Sequence, residues 1–441
     1  MRIHHPLLIS AATLFTLLAC NDEAKPGKQE AAVSGINTAH LERLTIPVML
    51  PGEDSAAGIY IYSEAPDYNL VDDSDEGFTC VDDVSRAALF YLRQKAFTSD
   101  TALQRKASAL LRFVLGMQAP NGYFYNFVLP GNVINKTHQT SRAEPNWWSW
   151  RALHTLTEAV PLLRKTDAAL VSRMEAAVSR LLVPVSRDLA ALPAATRKVQ
   201  GITIPQWLPA GSGTDQAALL LIGLVNHCAE HPNDSLKAYI RKLADGIALM
   251  QQGDRNRFPY ACILSWENTW HAYGSDGAYA LFKAGSFLKD STYTNAALEE
   301  VSHFYPWLLA QGMKASFVVV QKGDSLQMAN VQQYAQIAYG VRPMIFAALE
   351  AHRLTGKVQF GNLAAQLAAW FYGKNETDTA MYDEASGRCF DGIVSAGSIN
   401  RNAGAESTIE ALLALQMLEA SPQALTALNE WRRTQDSSSK Q

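Results

Sequence analysis

TDQAALLLIGLVNH, residues 214–227, opens with one acid and then carries no charge as far as His227. Its apolar residues fall on every face of a helix, and a helix that is apolar all round is buried on all sides. The next helical stretch, SLKAYIRKLADGIALMQQ at 235–252, is different. It gathers Lys and Arg on one face, so it meets solvent on one side and protein on the other. A buried helix followed by a half-exposed one makes a hairpin that cannot bury its apolar surface alone. It needs neighbours of the same kind.

Those neighbours are present. Periodicity predicts twelve helices, at 82–96, 101–118, 144–160, 167–183, 214–230, 235–252, 271–288, 293–311, 331–354, 358–373, 404–418 and 421–433. The odd members read like the opening stretch: DDVSRAALFYL, NWWSWRALHTL, SDGAYALFKAG, QQYAQIAYGVRPMIFAAL and AESTIEALLALQ. The even members are amphipathic, as in ALQRKASALLRFVLGMQ. Odd helices start 62, 70, 57, 60 and 73 residues apart, a loose internal repeat of one hairpin. An open α-solenoid is the rival architecture, but its repeats are shorter and more regular, with polar caps. Residues 40–79 read as irregular, with a short strand at GIYIY, and KASFVVVQKGD at 314–324 reads as a small β-hairpin.

Six hairpins, inner helix then outer helix, resemble the (α/α)6 toroid of the six-hairpin glycosidase superfamily over residues 80–435. CVDDVSRAALFYL (80–92) and NRNAGAESTIEALL (400–413) resemble segments of carbohydrate-active (α/α) domains. The resemblance implies an all-α domain whose inner-helix N-termini, with the loops feeding them, converge on one face. The sequence says what those loops carry. Asp82 and Asp83 follow the acidic run Asp72, Asp73, Asp75 and Glu76. His138, Arg142, Glu144, Asn146, Trp147 and Trp148 precede the second inner helix, and Trp207 and Asp215 the third. The fourth has Trp266, Glu267, Trp270, His271, Tyr273 and Asp276; the fifth Asn330, Gln332, Gln333 and Tyr334; the sixth Asp391, Asn400, Arg401, Asn402 and Glu406.

Sugars account for that mixture. A pyranose has an apolar face that stacks on Trp or Tyr and hydroxyls that need acids, amides and arginines. Glycosidic cleavage needs two carboxyl groups, one protonated and one ionised. The reading is a glycoside hydrolase with Asp83 and Asp215 as the pair and Asp82, Glu144, Asp276 and Glu406 as alternates. Trp147, Trp148, Trp270 and Tyr334 would stack on sugar. Arg86, Arg142 and Arg401 would meet hydroxyls or an acidic group, with Asn126, His138 and His271 in the pocket wall. Each has a plainer reading. Asp82, Asp83 and Asp215 are good helix caps, and an acid in the first turn, such as Glu406, pairs with the helix dipole. Trp147, Trp148 and Trp150 suit a core.

A polysaccharide lyase on the same toroid is the runner-up, with His138, His271, Tyr273, Tyr334 or Asn126 serving proton abstraction beside a uronate. The many acids speak against it, because they repel an acidic substrate. A non-catalytic glycan-binding lipoprotein would keep the tryptophans without needing a carboxyl pair. An epimerase on the same fold is a further alternative that export fits poorly.

The chain has a formal net charge of -4 and no long basic run, which argues against nucleic acid as a partner. Hydrolysis needs no cofactor. No HExxH, Walker loop or dinucleotide fingerprint occurs, so no metal site is assigned; DDSDEG departs from the EF-hand pattern and reads as a solvated turn. Residues 1–19 read as a secretory signal. Its end, Leu17-Leu18-Ala19-Cys20, resembles the bacterial lipobox, which implies cleavage before Cys20, a lipid on that cysteine, and anchoring to the cell envelope. Residues 20–39 read as a flexible tether, 40–435 as the catalytic domain and 436–441 as a polar tail. The compartment would permit disulfides, and a bridge between Cys80 and Cys389 is left open.

Overall fold

The computed structural model describes residues 35–438. The signal segment, Cys20 and the tether as far as residue 34 lie outside the described residues. The helices are α1 (Ala39–Leu44), α2 (Val81–Leu92), α3 (Thr101–Gly116), α4 (Trp147–Leu163), α5 (Ala168–Ala191), α6 (Thr214–Glu230), α7 (Asp234–Leu249), α8 (Gly277–Leu288), α9 (Ser291–Glu299), α10 (Tyr305–Ala310), α11 (Ala338–Thr355), α12 (Val358–Ala368), α13 (Ala405–Glu419) and α14 (Pro422–Ser438). A π-helical turn, Glu300–Phe304, joins α9 to α10, so the two form one outer helix.

The helices that are apolar all round form a closed ring. α2 packs on α4, α4 on α6, α6 on α8, α8 on α11 and α11 on α13, and α13 returns to α2. Each is backed by the amphipathic helix that follows it. Closure excludes the open solenoid and bears out the all-α (α/α)6 toroid. The twelve expected helices correspond to the twelve of the ring; α5 runs on to Ala191, past the expected 183, and the other large differences lie at helix starts. α8 begins at Gly277 rather than 271 because Thr269–His271 pairs as a strand with Ser316–Val318. α11 begins at Ala338 because the strand Ser325–Gln332 runs into the segment read as helical. Residues 40–79 are more regular than expected. They hold α1, the antiparallel pair Thr45–Leu50 and Glu53–Ile59, and a second pair, Tyr62–Glu64 and Asn69–Val71.

The two helix layers begin differently. Four outer helices are capped by side chains, α12 not being one of them: Asp100 accepts from the amides of Ala102 and Leu103, Asp167 from Leu170, Asn233 from Leu236 and Asp290 from Thr292. Of the inner helices, α6, α8, α11 and α13 have no side-chain cap. Backbone carbonyls from neighbouring loops serve instead, as where Thr214 N–H donates to Ser265 O at 2.8 Å and Ala405 N–H to Ile61 O at 2.9 Å. The acids of the inner first turns are thereby free for other partners.

The four cysteines of the ring domain, Cys80, Cys228, Cys262 and Cys389, are buried free thiols, so Cys80 and Cys389 do not pair. Asp73 accepts from the amides of Asp75 and Glu76, which makes the acidic run a self-capped turn.

Candidate active site

α2 and α13 lie side by side in the ring, and Arg86, one turn into α2, gathers acids from both. It is 3 % exposed. Its Nη2 lies 2.6 Å from Asp83 Oδ1, 3.2 Å from Asp82 Oδ2 and 3.2 Å from Glu406 Oε2, and its Nη1 lies 2.9 Å from Glu410 Oε1. Arg151 of α4 reaches Asp82 Oδ1 at 2.5 Å and donates to the Tyr339 hydroxyl at 2.5 Å. Arg342 of α11 bonds Glu410 Oε2 at 2.5 Å and grips Asp276 at 2.7 and 3.3 Å. The Tyr339 ring sits among all three guanidinium groups, 5.3 Å from Arg86, 5.0 Å from Arg151 and 5.5 Å from Arg342.

This cluster sets three arginines against five acids. Burial of that imbalance is costly, and the acids relieve it by keeping protons. Burial pushes Asp83 up in spite of Arg86. Burial also pushes Glu406 up, to about 7, with Arg86 opposing and the neighbouring acids reinforcing the shift. Each upward shift lessens the negative charge that the cluster must carry. Glu410 goes the other way: burial resists its ionisation, but Arg342, Arg86 and Arg151 overcome this and pull it down to about 2.

Glu406 and Asp82 are the members that reach solvent, with side chains 42 % and 22 % exposed, whereas Asp83 is 3 % exposed. They border a cavity of about 300 Å³ that Tyr62, Asn126, Phe127, Asp391 and Ser407 also line. Asn126 accepts from the Asp82 amide at 3.1 Å and donates to Thr140 O, which ties the second loop to the start of α2.

A second cluster stands across α4. Asp215 Oδ2 lies 3.1 Å from His271 Nε2, and Asp215 Oδ1 accepts from the Gln216 amide at 2.6 Å. Both residues are buried, at 6 % and 8 % exposure. Tyr273 stacks on the imidazole at 3.9 Å and is itself 44 % exposed. Trp147 lies 6.4 Å from Tyr273, and Tyr273 lies 6.2 Å from Tyr339. The two clusters are thus joined through aromatic rings and Arg151.

The other expected site residues divide. Asp83 and Asp215 stand on α2 and α6, with α4 between them. Asp276 is buried against Arg342. Glu144 pairs with exposed Arg142 at 3.9 Å in the loop before α4. Trp147 is half-buried at the start of α4, positioned for stacking. Trp148 and Trp270 are not open to a sugar. The Trp148 indole is buried and donates to Phe124 O at 2.7 Å, and Trp270 is fully buried against Phe317 and Phe304 at 5.2 Å each. His138 bonds Thr140 at 2.8 Å, the Tyr334 hydroxyl donates to Glu376 at 2.5 Å, and exposed Arg401 lies over Phe390 at 5.1 Å. None of these three lines the cavity over Arg86. Arg151, Tyr339, Arg342 and Glu410 were not among the expected residues. Their signal was a charged or phenolic residue inside a helix otherwise apolar all round.

No protein-family model matches the sequence, and no curated protein resembles it. Solved structures do resemble the chain in shape. A cellobiose 2-epimerase from Bacillus thermoamylovorans superposes with a TM-score of 0.57 at 10 % identity, covering 86 % of this chain and 95 % of that one. A sugar epimerase from a ruminal bacterium gives 0.58 at 9 %, covering 87 % and 95 %. A D-mannose isomerase gives 0.56 at 12 %, covering 87 % and 95 %. At such identities what is shared is the fold, and the chain has the (α/α)6 toroid.

Proposed function

We propose that the protein is a carbohydrate-active enzyme, a glycoside hydrolase in which Glu406 is the general acid and Asp82 the nucleophile. The observation that carries this is Glu406 itself: a carboxyl that holds its proton to about pH 7, open to a cavity, beside a carboxylate clamped by two arginines. Glu406 gives its proton to the glycosidic oxygen while Asp82 attacks the anomeric carbon and the C–O bond breaks. Glu406 then takes a proton from water, whose oxygen displaces Asp82 and restores both groups. Asp82 Oδ2 and Glu406 Oε2 each lie 3.2 Å from one nitrogen of Arg86, so they are separated by at most twice that distance. A retaining pair stands roughly 5–5.5 Å apart and an inverting pair roughly 6.5–9.5 Å, and a mechanism with Asp82 as nucleophile is the retaining one. Hydrolysis is therefore expected to retain anomeric configuration, read from the first product by proton NMR; an inverted first product would remove Asp82 from the nucleophile's role.

The His271–Asp215 pair favours a second reading. A buried imidazole held by a carboxylate beside an exposed aromatic suits proton abstraction next to a sugar carbonyl, as an epimerase or isomerase requires. The solved structures named above are described as such enzymes. One incubation separates the readings. The chain from residue 21 onward is mixed in D2O with neutral and acidic glycans, and reducing ends, ultraviolet absorbance of unsaturated uronates and deuterium at sugar carbons are followed together. New reducing ends alone support hydrolysis. Deuterium uptake without cleavage moves the chemistry to His271, absorbance identifies a lyase, and binding with none of these signals leaves a glycan-binding protein.

We further propose that the chain is exported and anchored to the bacterial envelope through a lipid on Cys20, on the strength of its lipobox-like sequence. In a bacterial host the full chain is expected to take up labelled palmitate and sediment with membranes, and Cys20→Ala to do neither. A wild-type chain that stays unlabelled would refute the anchor.

A further inference from the structure

The cavity over Arg86 is closed on one side by the chain's own N-terminal segment. Residues 61–63 cross the gap between α2 and α13 and are tied to both approaches. Ile61 N–H donates to Phe78 O at 3.0 Å, Ala405 N–H to Ile61 O at 2.9 Å and Ala403 N–H to Ser63 O at 3.0 Å. Tyr62, whose hydroxyl donates to Glu76 at 3.0 Å, lines the cavity from this strap. A polymer cannot pass beneath the strap without breaking those backbone bonds, and each one broken in a buried setting is costly.

On the α4 side a line of contacts runs from the cavity rim, through buried Arg151 and Tyr339, to exposed aromatic surface. Asp82 connects through Arg151 to Tyr339, and Tyr339 lies 6.2 Å from Tyr273. Tyr273 is the exposed end of this line, supported face to face by His271 and flanked by Trp147. The cavity holds about 300 Å³, the low end of the roughly 300–1,000 Å³ range of small-molecule pockets, which suits one sugar ring.

We propose that the enzyme acts from the chain end: a single terminal sugar residue enters the strapped cavity, and the rest of an oligosaccharide leaves over Tyr273 and Trp147. The inference rests on the hydrolase reading and names its substrate class, an oligosaccharide with a free terminal residue. The bond cut lies between the cavity and the aromatic line, next to Glu406. Each water consumed releases one monosaccharide, and the shortened chain re-enters by its new end.

The test is the product pattern on a ladder of oligosaccharides of increasing length, sampled early. Release of monosaccharide alone, with each substrate shortened by one unit, is the expected result. Tyr273→Ala is expected to raise KM about tenfold more for the longer oligosaccharides than for an aryl glycoside of the same terminal sugar, since a stacked ring contributes an amount of that order. Fragments of intermediate length at early times, meaning internal cuts, would overturn the proposal and leave the hydrolase reading standing. An equal rise in KM for both substrate types would remove Tyr273 from the path of the leaving chain. Sugar interconversion without bond cleavage would instead sink hydrolysis itself, and the end-acting reading with it.

Discussion

Glu406→Gln lowers kcat/KM by about 10²–10⁴-fold, the usual contribution of a general acid. The replacement keeps the size and the acceptor that Arg86 contacts and removes the proton. The pH profile carries the sharper reading. The wild-type enzyme needs Glu406 protonated, and burial holds that proton to about pH 7. Its kcat/KM therefore declines as pH rises through about 7, and the residual activity of Glu406→Gln lacks that limb. Stability moves with the same proton. An unfolded glutamate ionises near about 4.3, whereas the folded one holds on, so folding binds a proton between that value and about 7. The folded state consequently loses stability as pH rises across that window, and Glu406→Gln escapes the loss. A variant that keeps wild-type activity, or the same alkaline limb, would hand the acid's role to another group, and Asp391 would be next to test. It lines the same cavity, and burial pushes its carboxyl up as well.

Much of this machinery is legible in the sequence, and the reason is the inner helices. A helix without an exposed face admits few charges, so those it carries mark the ring's interior. Asp82, Asp83 and Glu406 stand in first turns, where acids attract notice, and the structure gathers them around Arg86. Arg151, Arg342 and Glu410 lie about one turn in, at the same depth as Arg86, where the same rule applies with more force. Each is buried at 0–6 % exposure and each is ion-paired. Their partners come from helices 60 or more residues away, which no local pattern displays. The tryptophans mislead for a related reason. Trp147 and Trp148 are adjacent on one helix, and the choice between cleft and core is made by Phe124 and Tyr273 from other loops. Trp270 is withdrawn from the cleft by Phe304 of the π-helical turn and Phe317 of the strand Ser316–Lys322. The starts of α8 and α11 shift because strand pairing competes with helix formation, of 269–271 with 316–318 before α8 and of 325–332 with 316–322 before α11.

Arg342→Met lowers folding stability by about 3–5 kcal/mol, seen as a fall in the urea midpoint, whereas Asp83→Asn at pH 7 changes it by about 1 kcal/mol or less. The asymmetry follows from the excess of acids over arginines. Arg342 is buried between Asp276 and Glu410, and its removal strips Asp276 of its ion pair and half of Glu410's support. Two arginines then face the five acids, and the surplus must be met by further protonation or by opening of the ring. Asp83 is the reverse case. Its carboxyl is pushed up by burial, so asparagine replaces a group whose charged form is disfavoured where it stands and still offers an oxygen to Arg86. If both substitutions cost the same, burial does not disfavour the Asp83 carboxylate and the asymmetry is refuted. If Arg342→Met is nearly neutral while Asp83→Asn is costly, the ring is held by its acids rather than by its arginines. In that case Asp83 is charged, its charge adds to the burial that raises Glu406, and the proton belongs to Glu406 rather than to Asp83.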